Sequence, residues 1–381
     1  MLEIIGILGG GAMGRGIAQV ALQNNKSVIV YDVMPNAAEI IIKHLTATFD
    51  FLMAKDKITN DQKNEYLGNL KIVDSMEKLA ECDLIIEAII EDLQLKKTVF
   101  EGLSKVLKSD AIVCSNTSSF SITAIASAYK DPSRCLGLHF FNPAPVMPLV
   151  EIIPAYQTDP LLVEQLKAEM TQWKKTPVVA KDTPGFIVNR IARPFYSEAL
   201  RIYEENLATK EDIDLAMRQI GGFKMGPFEL MDFIGHDVNF SVTNSVWQAT
   251  FYDPKYKPSL SQQKLVEAGF LGRKSNRGFY TYGADSNVQN LESTPMEKLK
   301  PIFDRIITVL INEAYDALYW QLADPEDIEL AMTKGVNYPK GLLAWGKEIG
   351  LENIKSRMDA LHNAYKEERY RCSQYLSRYS G

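Results

Sequence analysis

A histidine and a glutamate twelve positions apart, His139 and Glu151, are the residues of this sequence best suited to moving a proton near neutral pH. Only four histidines occur in 381 residues, namely His44, His139, His236 and His362. Imidazole is the side chain whose ordinary pKa lets it take and return a proton in that range. His139 ends the apolar run CLGLHF, just ahead of Asn142-Pro143-Ala144-Pro145, and Glu151 lies inside the run LVEII. A carboxylate buried in such a run needs a partner, and an imidazole backed by a carboxylate has its tautomer fixed and its protonated form stabilised. On periodicity alone, a core histidine and an unrelated edge-strand glutamate fit the same spacing. Two further groups could hold a substrate oxygen. Ser118 sits in Ser115-Asn116-Thr117-Ser118-Ser119 after the run AIVCS, and Asn189 sits in DTPGFIVNR on a helical pattern. A strand-to-helix cap and a solvated helical residue are the commoner uses of such residues taken singly.

The other chemistry is phosphate binding. The first apolar run leads into Gly9-Gly10-Gly11-Ala12-Met13-Gly14, a G-x-G-x-x-G, with a helical pattern from Gly16 to Leu22 behind it. Gly9 permits a tight turn, Gly11 lets backbone approach a pyrophosphate, and Gly14 lets the helix pack close to the strand, so that the phosphate charge meets a helix N-terminus. The second run, VIVYD, ends at Asp32, where a carboxylate can accept hydrogen bonds from an adenosine ribose. The same charge repels a 2′-phosphate, and Val33 and Met34 bring no cation to offset it. NAD is therefore expected over NADP.

These residues need strand ends to position them. From residue 1 to about 182, IIGIL, VIVYD, LKIV, DLIIEAI, AIVCS, CLGLHF, LVEII and TPVVAKD alternate with helical patterns, the rhythm of an α/β, doubly wound parallel sheet. Asn36 to Leu67 is too long for one crossover helix and reads as a helical hairpin, its second arm opened by the capping box Thr59-Asn60-Asp61-Gln62. After Pro184 only the short GFYTY reads as strand. The rest is helical and repeats itself: Glu211–Met217 (EDIDLAM) returns as Glu326–Met332 (EDIELAM), and the same shift relates Glu198-Ala199 to Glu313-Ala314 and Gly226 to Gly341. Thr209 and Asp324-Pro325 open the two copies of the EDI helix as caps. The expected division is residues 1–182 as a nucleotide-binding domain, 183–282 as one helical copy and 296–381 as a second, with the polar stretch Gly283–Pro295 as linker. Two all-α subdomains packed face to face are the economical arrangement.

Composition narrows the function class. Charged residues are 24% and hydrophobic ones 46%, and the net charge is −6, so nucleic acid is not the expected partner and an anionic ligand needs a local cation or helix terminus. The cysteines Cys82, Cys114, Cys135 and Cys372 form no C-x-x-C pair, and no apolar run is long enough for a membrane span. A reduced, cytoplasmic protein with no membrane partner and no metal is expected.

In order, GILGGGAMGRGIAQVA, IEAIIEDLQLKK, SNTSS, GLHFFNPAPVMPLVEII, DTPGFIVNR and LGRKSNRGFYTY resemble the 3-hydroxyacyl-CoA dehydrogenases. The likeness covers residues 1 to about 282, and the remainder resembles a second copy of the family's helical C-terminal domain. It implies a Rossmann-type domain, NAD as cofactor and an acyl-CoA substrate. By that likeness His139 is the acid/base, Glu151 its orienting carboxylate, and Ser118 and Asn189 the donors to substrate oxygens. Gly9, Gly11, Ala12, Met13, Gly14, Asp32, Glu91, Lys96, Asn142 and Lys274 resemble the NAD-contacting set, and Lys55 the contact to CoA phosphate. The position equivalent to Asn189 in the second copy is Asp304, so a single active site is expected, in either a homodimer or a monomer with an internal pseudo-dimer of helical domains. The sequence leaves two other readings open: a non-CoA hydroxy acid or sugar-acid dehydrogenase, and a non-catalytic NAD-binding protein.

Overall fold

The β-branched runs become β1 (Ile4–Leu8), β2 (Ser27–Tyr31), β3 (Leu70–Val73), β4 (Leu84–Glu87), β5 (Ile112–Ser115), β6 (Cys135–Phe140), β7 (Leu149–Pro154) and β8 (Thr176–Val179). They pair into one sheet of order β3-β2-β1-β4-β5-β6-β7-β8. The computed structural model describes residues 2–283 and 294–378, and the chain divides into the compact units Met1–Thr183 and Pro184–Gly381. Helices α1 (Ala12–Gln23), α2 (Ala37–Ala54), α3 (Asn60–Gly68), α4 (Leu93–Leu103), α5 (Ile122–Ala126) and α6 (Pro160–Gln172) belong to the first unit. Ile5, Ile7, Val28, Val30, Leu84 and Ile86 of the central strands are fully buried in a core shared with Ile17 of α1, Leu45 of α2 and Leu166 of α6.

Two expectations for this unit are corrected. The sheet is parallel except between β6 and β7, which run antiparallel. The connection 141–148 contains no helix, and without a crossover the chain can only turn back. Helix α1 also starts at Ala12 rather than Gly16, so its N-terminus lies inside the glycine turn. The hairpin of α2 and α3 forms as the spacing requires, with Thr59 and Gln62 exchanging both capping-box bonds. Strand order reverses between β1 and β4, on either side of which successive strands step outward. In open α/β sheets that crevice, at the carboxyl ends of the strands, is where ligands bind.

The second unit contains α7 (Val188–Ile191), α8 (Arg193–Glu204), α9 (Lys210–Gln219), α10 (Pro227–Ile234), α11 (His236–Ala249), α12 (Leu260–Glu267), α13 (Met296–Tyr319), α14 (Pro325–Leu330), α15 (Leu342–Ile349), α16 (Leu351–Tyr365) and α17 (Gln374–Ser377). The repeat is visible in helix starts: α9, α10 and α11 begin at positions 210, 227 and 236, and α14, α15 and α16 at 325, 342 and 351. Gly235 and Gly350 break the chain between helices with φ +100° and +93°, values open to glycine and costly for other residues.

Here too the expectations need correction. GFYTY makes a single isolated bridge, Thr281 to Arg277. With no neighbouring strand to pair it, two of its N–H groups go to a side chain: Asp232 accepts from the Phe279 and Tyr280 amides, and also from the Tyr282 hydroxyl, each at 2.9 Å. Thr209 caps α9 through the Asp212 amide, whereas Asp324 holds the N-cap position of α14 without a side-chain cap bond. Most of the expected linker Gly283–Pro295 lies outside the described residues. Among the described residues no helix is long and apolar enough to cross a membrane.

Candidate active site

The turn that makes β6 and β7 antiparallel sets His139 directly opposite Glu151 in the register. The side chains meet, His139 Nδ1 lying 2.7 Å from Glu151 Oε2, with Glu151 fully buried and His139 6% exposed. A buried carboxylate is an acceptor, so Nδ1–H donates to it and Nε2 is left as the basic nitrogen. Phe141 packs on the imidazole at 4.5 Å between ring centroids. Asn116 Oδ1 accepts from the Phe140 amide at 2.8 Å, tying the end of β6 to the loop after β5.

That loop carries Ser118, and Glu91 organises it. One Glu91 oxygen accepts from the Ser118 amide at 3.2 Å, the Ser119 hydroxyl at 2.8 Å and the Thr117 hydroxyl. Burial pushes the Glu91 carboxyl up, but Lys96 and the Thr117 and Ser119 hydroxyls outweigh it and hold it below its ordinary value. Lys96 is 1% exposed and pairs with Glu87 at 2.7 Å and Glu91 at 3.2 Å. Lys96, expected among the cofactor contacts, has its ammonium turned onto these two carboxylates. Glu87 escaped the sequence reading. It is fully buried at the end of β4 and accepts from Lys96, from the Ser115 hydroxyl at 2.6 Å and from the Ile89 amide at 2.9 Å. The signal was available: LIIE, like LVEII, places a charge in an apolar strand.

The glycine turn has the geometry a dinucleotide requires. Gly9 has φ +95°, and a Cβ there would meet the Ala88 carbonyl oxygen at 2.6 Å; at Gly14 it would lie 1.8 Å from the Gly9 carbonyl oxygen. At Gly11 a Cβ would meet nothing within 4 Å, so the space in front of the turn is open. Gly11 is the N-cap of α1, no side chain caps it, and no acidic residue occupies the first turn, which includes Ala12 and Met13. The first N–H groups thus remain for an anion. Asp32 follows β2 and accepts from the Gly10 amide at 2.5 Å and the Met34 amide at 2.8 Å, so it lies at the rim of the same turn. These residues fit NAD.

The remaining residues lie elsewhere. Lys55 is the exposed C-cap of α2, its ammonium over Phe51. Asn142 is exposed in the loop between β6 and β7. Asn189 on α7 and Lys274, which pairs with Asp237, belong to the second unit and are described within it. Among the described residues no group of three or more His, Cys, Asp or Glu side chains could hold a metal ion.

Comparison with known proteins bears on the whole chain. Residues 4–183 match the 3-hydroxyacyl-CoA dehydrogenase NAD binding domain, and residues 185–282 and 302–380 both match the C-terminal domain of the same family. The chain is 37% identical to 3-hydroxyadipyl-CoA dehydrogenase of Escherichia coli (strain K12), over 98% of this chain and 96% of that one. The crystal structure of 3-hydroxybutyryl-CoA dehydrogenase from Escherichia coli K12 superposes with a TM-score of 0.92 at 35% identity, covering 99% of this chain and 98% of that one. That of (S)-3-hydroxybutyryl-CoA dehydrogenase from Ralstonia eutropha gives 0.72 at 36% identity, over 74% of this chain and all of that one. With both halves matched and the likeness running nearly end to end, the chain belongs to the 3-hydroxyacyl-CoA dehydrogenase family.

Proposed function

We propose that this enzyme carries out the family's NAD-dependent, reversible oxidation of a 3-hydroxyacyl-CoA, as the (S) isomer, to the 3-oxoacyl-CoA with His139 as the acid/base. The observation that carries the assignment is the buried His139–Glu151 pair at 2.7 Å. Nε2 takes the hydroxyl proton during oxidation and returns it during reduction. Glu151 keeps Nε2 in its basic tautomer and stabilises the imidazolium that forms. Bound NAD supplies the hydride acceptor. The N-terminus of α1 and Asp32 hold the two ends of its adenosine diphosphate half. Ser118, set by Glu91, donates to a substrate oxygen, and Asn189 to another; Asn142 and Lys274 contact the cofactor, and Lys55 a phosphate of CoA. Residues 183–282 and 296–381 act as two helical domains, the second structural, and the enzyme works in the cytoplasm. The names of the Escherichia coli relatives cover an acyl group with a terminal carboxylate and one without.

The test is His139→Gln. Turnover of a 3-oxoacyl-CoA with NADH falls by two or more orders of magnitude, the usual scale for a general acid/base, while NAD affinity changes little. Near-normal turnover at neutral pH removes His139 from the chemistry.

A further inference from the structure

Glu87 ends β4, opposite Leu8 of β1 and Ser115 of β5 in the register, at the place where the strand order reverses. It is fully buried, and its ion-pair partner Lys96 is 1% exposed. A carboxylate withdrawn from water needs donors for its oxygens. One oxygen accepts from the Lys96 ammonium at 2.7 Å and the Ile89 amide at 2.9 Å, and the other from the Ser115 hydroxyl at 2.6 Å. The stability of the sheet does not account for this arrangement, because apolar side chains in place of a buried ion pair are often neutral or stabilising. What the carboxylate orients accounts for it better.

Two routes lead from Glu87 to the loop after β5. In the first, the Ser115 hydroxyl is turned by donating to Glu87, so that a lone pair accepts from the Thr117 amide at 3.3 Å. In the second, Lys96 bridges Glu87 to one oxygen of Glu91 at 3.2 Å. The other Glu91 oxygen accepts from the Ser118 amide at 3.2 Å and the Ser119 hydroxyl at 2.8 Å. Two consecutive amides, those of Thr117 and Ser118, are thus held by groups that Glu87 itself holds. Thr117 is 1% exposed, whereas Ser118 is partly exposed, so the anchored side of the loop faces the protein and Ser118 is accessible.

We propose that Glu87 is a positioning residue for the loop 117–119, fixing Ser118 through Ser115 and through the Lys96–Glu91 pair without itself touching the substrate. This rests on the dehydrogenase reading and on Ser118 donating to a substrate oxygen. Such a donor acts only when it is held in place beforehand. In Glu87→Gln the side chain keeps its shape but has one acceptor oxygen in place of two, and its amide N–H groups face either the Ser115 hydroxyl or the Lys96 ammonium. One of the two routes must then give way.

The experiment measures kcat/KM for reduction of acetoacetyl-CoA and of 3-oxohexanoyl-CoA by NADH in the full-length protein, taking the better substrate. Glu87→Gln lowers it by about 10–100-fold, the scale of a misplaced catalytic contact, and Ser118→Ala by about 100-fold or more. The double variant falls no more than about threefold below Ser118→Ala, because residues acting as a unit are not additive. Losses that multiply in the double variant overturn the proposal, since a general loosening of the fold would act whether or not Ser118 is present. Parent-like kcat/KM in Glu87→Gln beside an impaired Ser118→Ala overturns it as well. If Glu87→Gln does not fold, Ser115→Ala, which cuts the first route alone, is combined with Ser118→Ala and judged by the same criteria. An unimpaired Ser118→Ala enzyme refutes the role given to Ser118, and turnover of neither substrate by the unmodified enzyme refutes the dehydrogenase reading; the proposal falls with either, and each is distinct from its own failure.

Discussion

Asp32 shows how one carboxylate can be both structural and selective. It accepts two backbone N–H groups, from Gly10 and Met34, which fixes its position, and its charge excludes a 2′-phosphate from the adjacent ribose site. Val33 and Met34 are 78% and 66% exposed, so a longer cationic side chain fits at either place. In Asp32→Ser with Val33→Arg, the preference for NADH over NADPH should shrink at least tenfold or invert, read as the ratio of kcat/KM values. Serine keeps a short acceptor for the Met34 amide, which limits structural damage. Equal efficiency with the two cofactors in the unmodified enzyme defeats the claim. Asp32 and His139 were legible because each lies at a strand end recognisable from the apolar run before it, and Glu151 because it is a lone charge inside an apolar run. The tasks of Glu91 and Glu87 were not, because their partners, the 117–119 loop and Ser115, come from another strand and the loop after it. Spacing along one run says nothing about a neighbour more than twenty residues away.

At the scale of elements, the turn between β1 and α1 separates two requirements that one motif combines. Gly14 is needed by the protein: a methyl there collides with the Gly9 carbonyl, a backbone atom that cannot swing aside. Gly11 is needed by the ligand, because a methyl there meets open space. Gly14→Ala should therefore lower stability by about 1–3 kcal/mol, the scale of overpacking, visible as a lower melting temperature without cofactor. Gly11→Ala should melt like the parent but bind NAD at least tenfold more weakly in a calorimetric titration. Equal effects of both substitutions on stability would contradict this division. The motif's existence is readable from sequence, and so is the strand–turn–helix order. The antiparallel return of β7 is not signalled by β-branched runs, which look alike in either direction; it follows from the missing helix in 141–148. GFYTY misled for a similar reason, since its composition suits a strand but no partner strand comes beside it.

At the scale of the molecule, the duplicated helices meet through an exchange of equivalent residues. Arg190 of the first copy reaches Glu313 of the second at 3.2 Å, and Arg305 of the second reaches Glu198 of the first at 2.6 Å. Arg190 and Arg305 are 115 positions apart, as are Glu198 and Glu313. Tyr256 bonds Glu313 and Tyr370 bonds Glu198 in the same crosswise sense. Reciprocal contact of this kind is what an isologous dimer interface shows, here closed within one chain. The short repeat EDIDLAM and EDIELAM made the duplication legible, but nothing in sequence announces ion pairs spanning more than a hundred residues. Burial pushes the Glu313 carboxyl up, yet Lys255 and Arg190 outweigh it and hold it below its ordinary value. A lowered native pKa gives stability that is present above the unfolded-state value and lost as pH falls through the native one. Glu313→Gln should thus cost about 3–5 kcal/mol at pH 7, the scale for stripping one partner from a buried pair, and should flatten the loss of stability below about pH 5. A denaturant series at several pH values with parallel curves for parent and variant would contradict it.

The same crosswise interface dictates what truncation does. Removing 296–381 uncovers Arg190, Lys255 and Tyr256 without Glu313, and Glu198 without Arg305 and Tyr370. It also uncovers the apolar side of α8 that packs on α13. A surface built to meet its own equivalent and left open has two outlets, aggregation or pairing between two truncated chains. A 1–295 fragment should therefore run as a dimer or larger species in size-exclusion chromatography with light scattering. Asp304, although equivalent to Asn189, pairs with Lys300 and Arg357 inside the second copy, so Asp304→Ala should leave turnover unchanged. A soluble, monomeric and fully active 1–295 fragment would show the second copy to be dispensable. Loss of turnover in a well-folded Asp304→Ala protein would show instead that the second copy takes part in the chemistry.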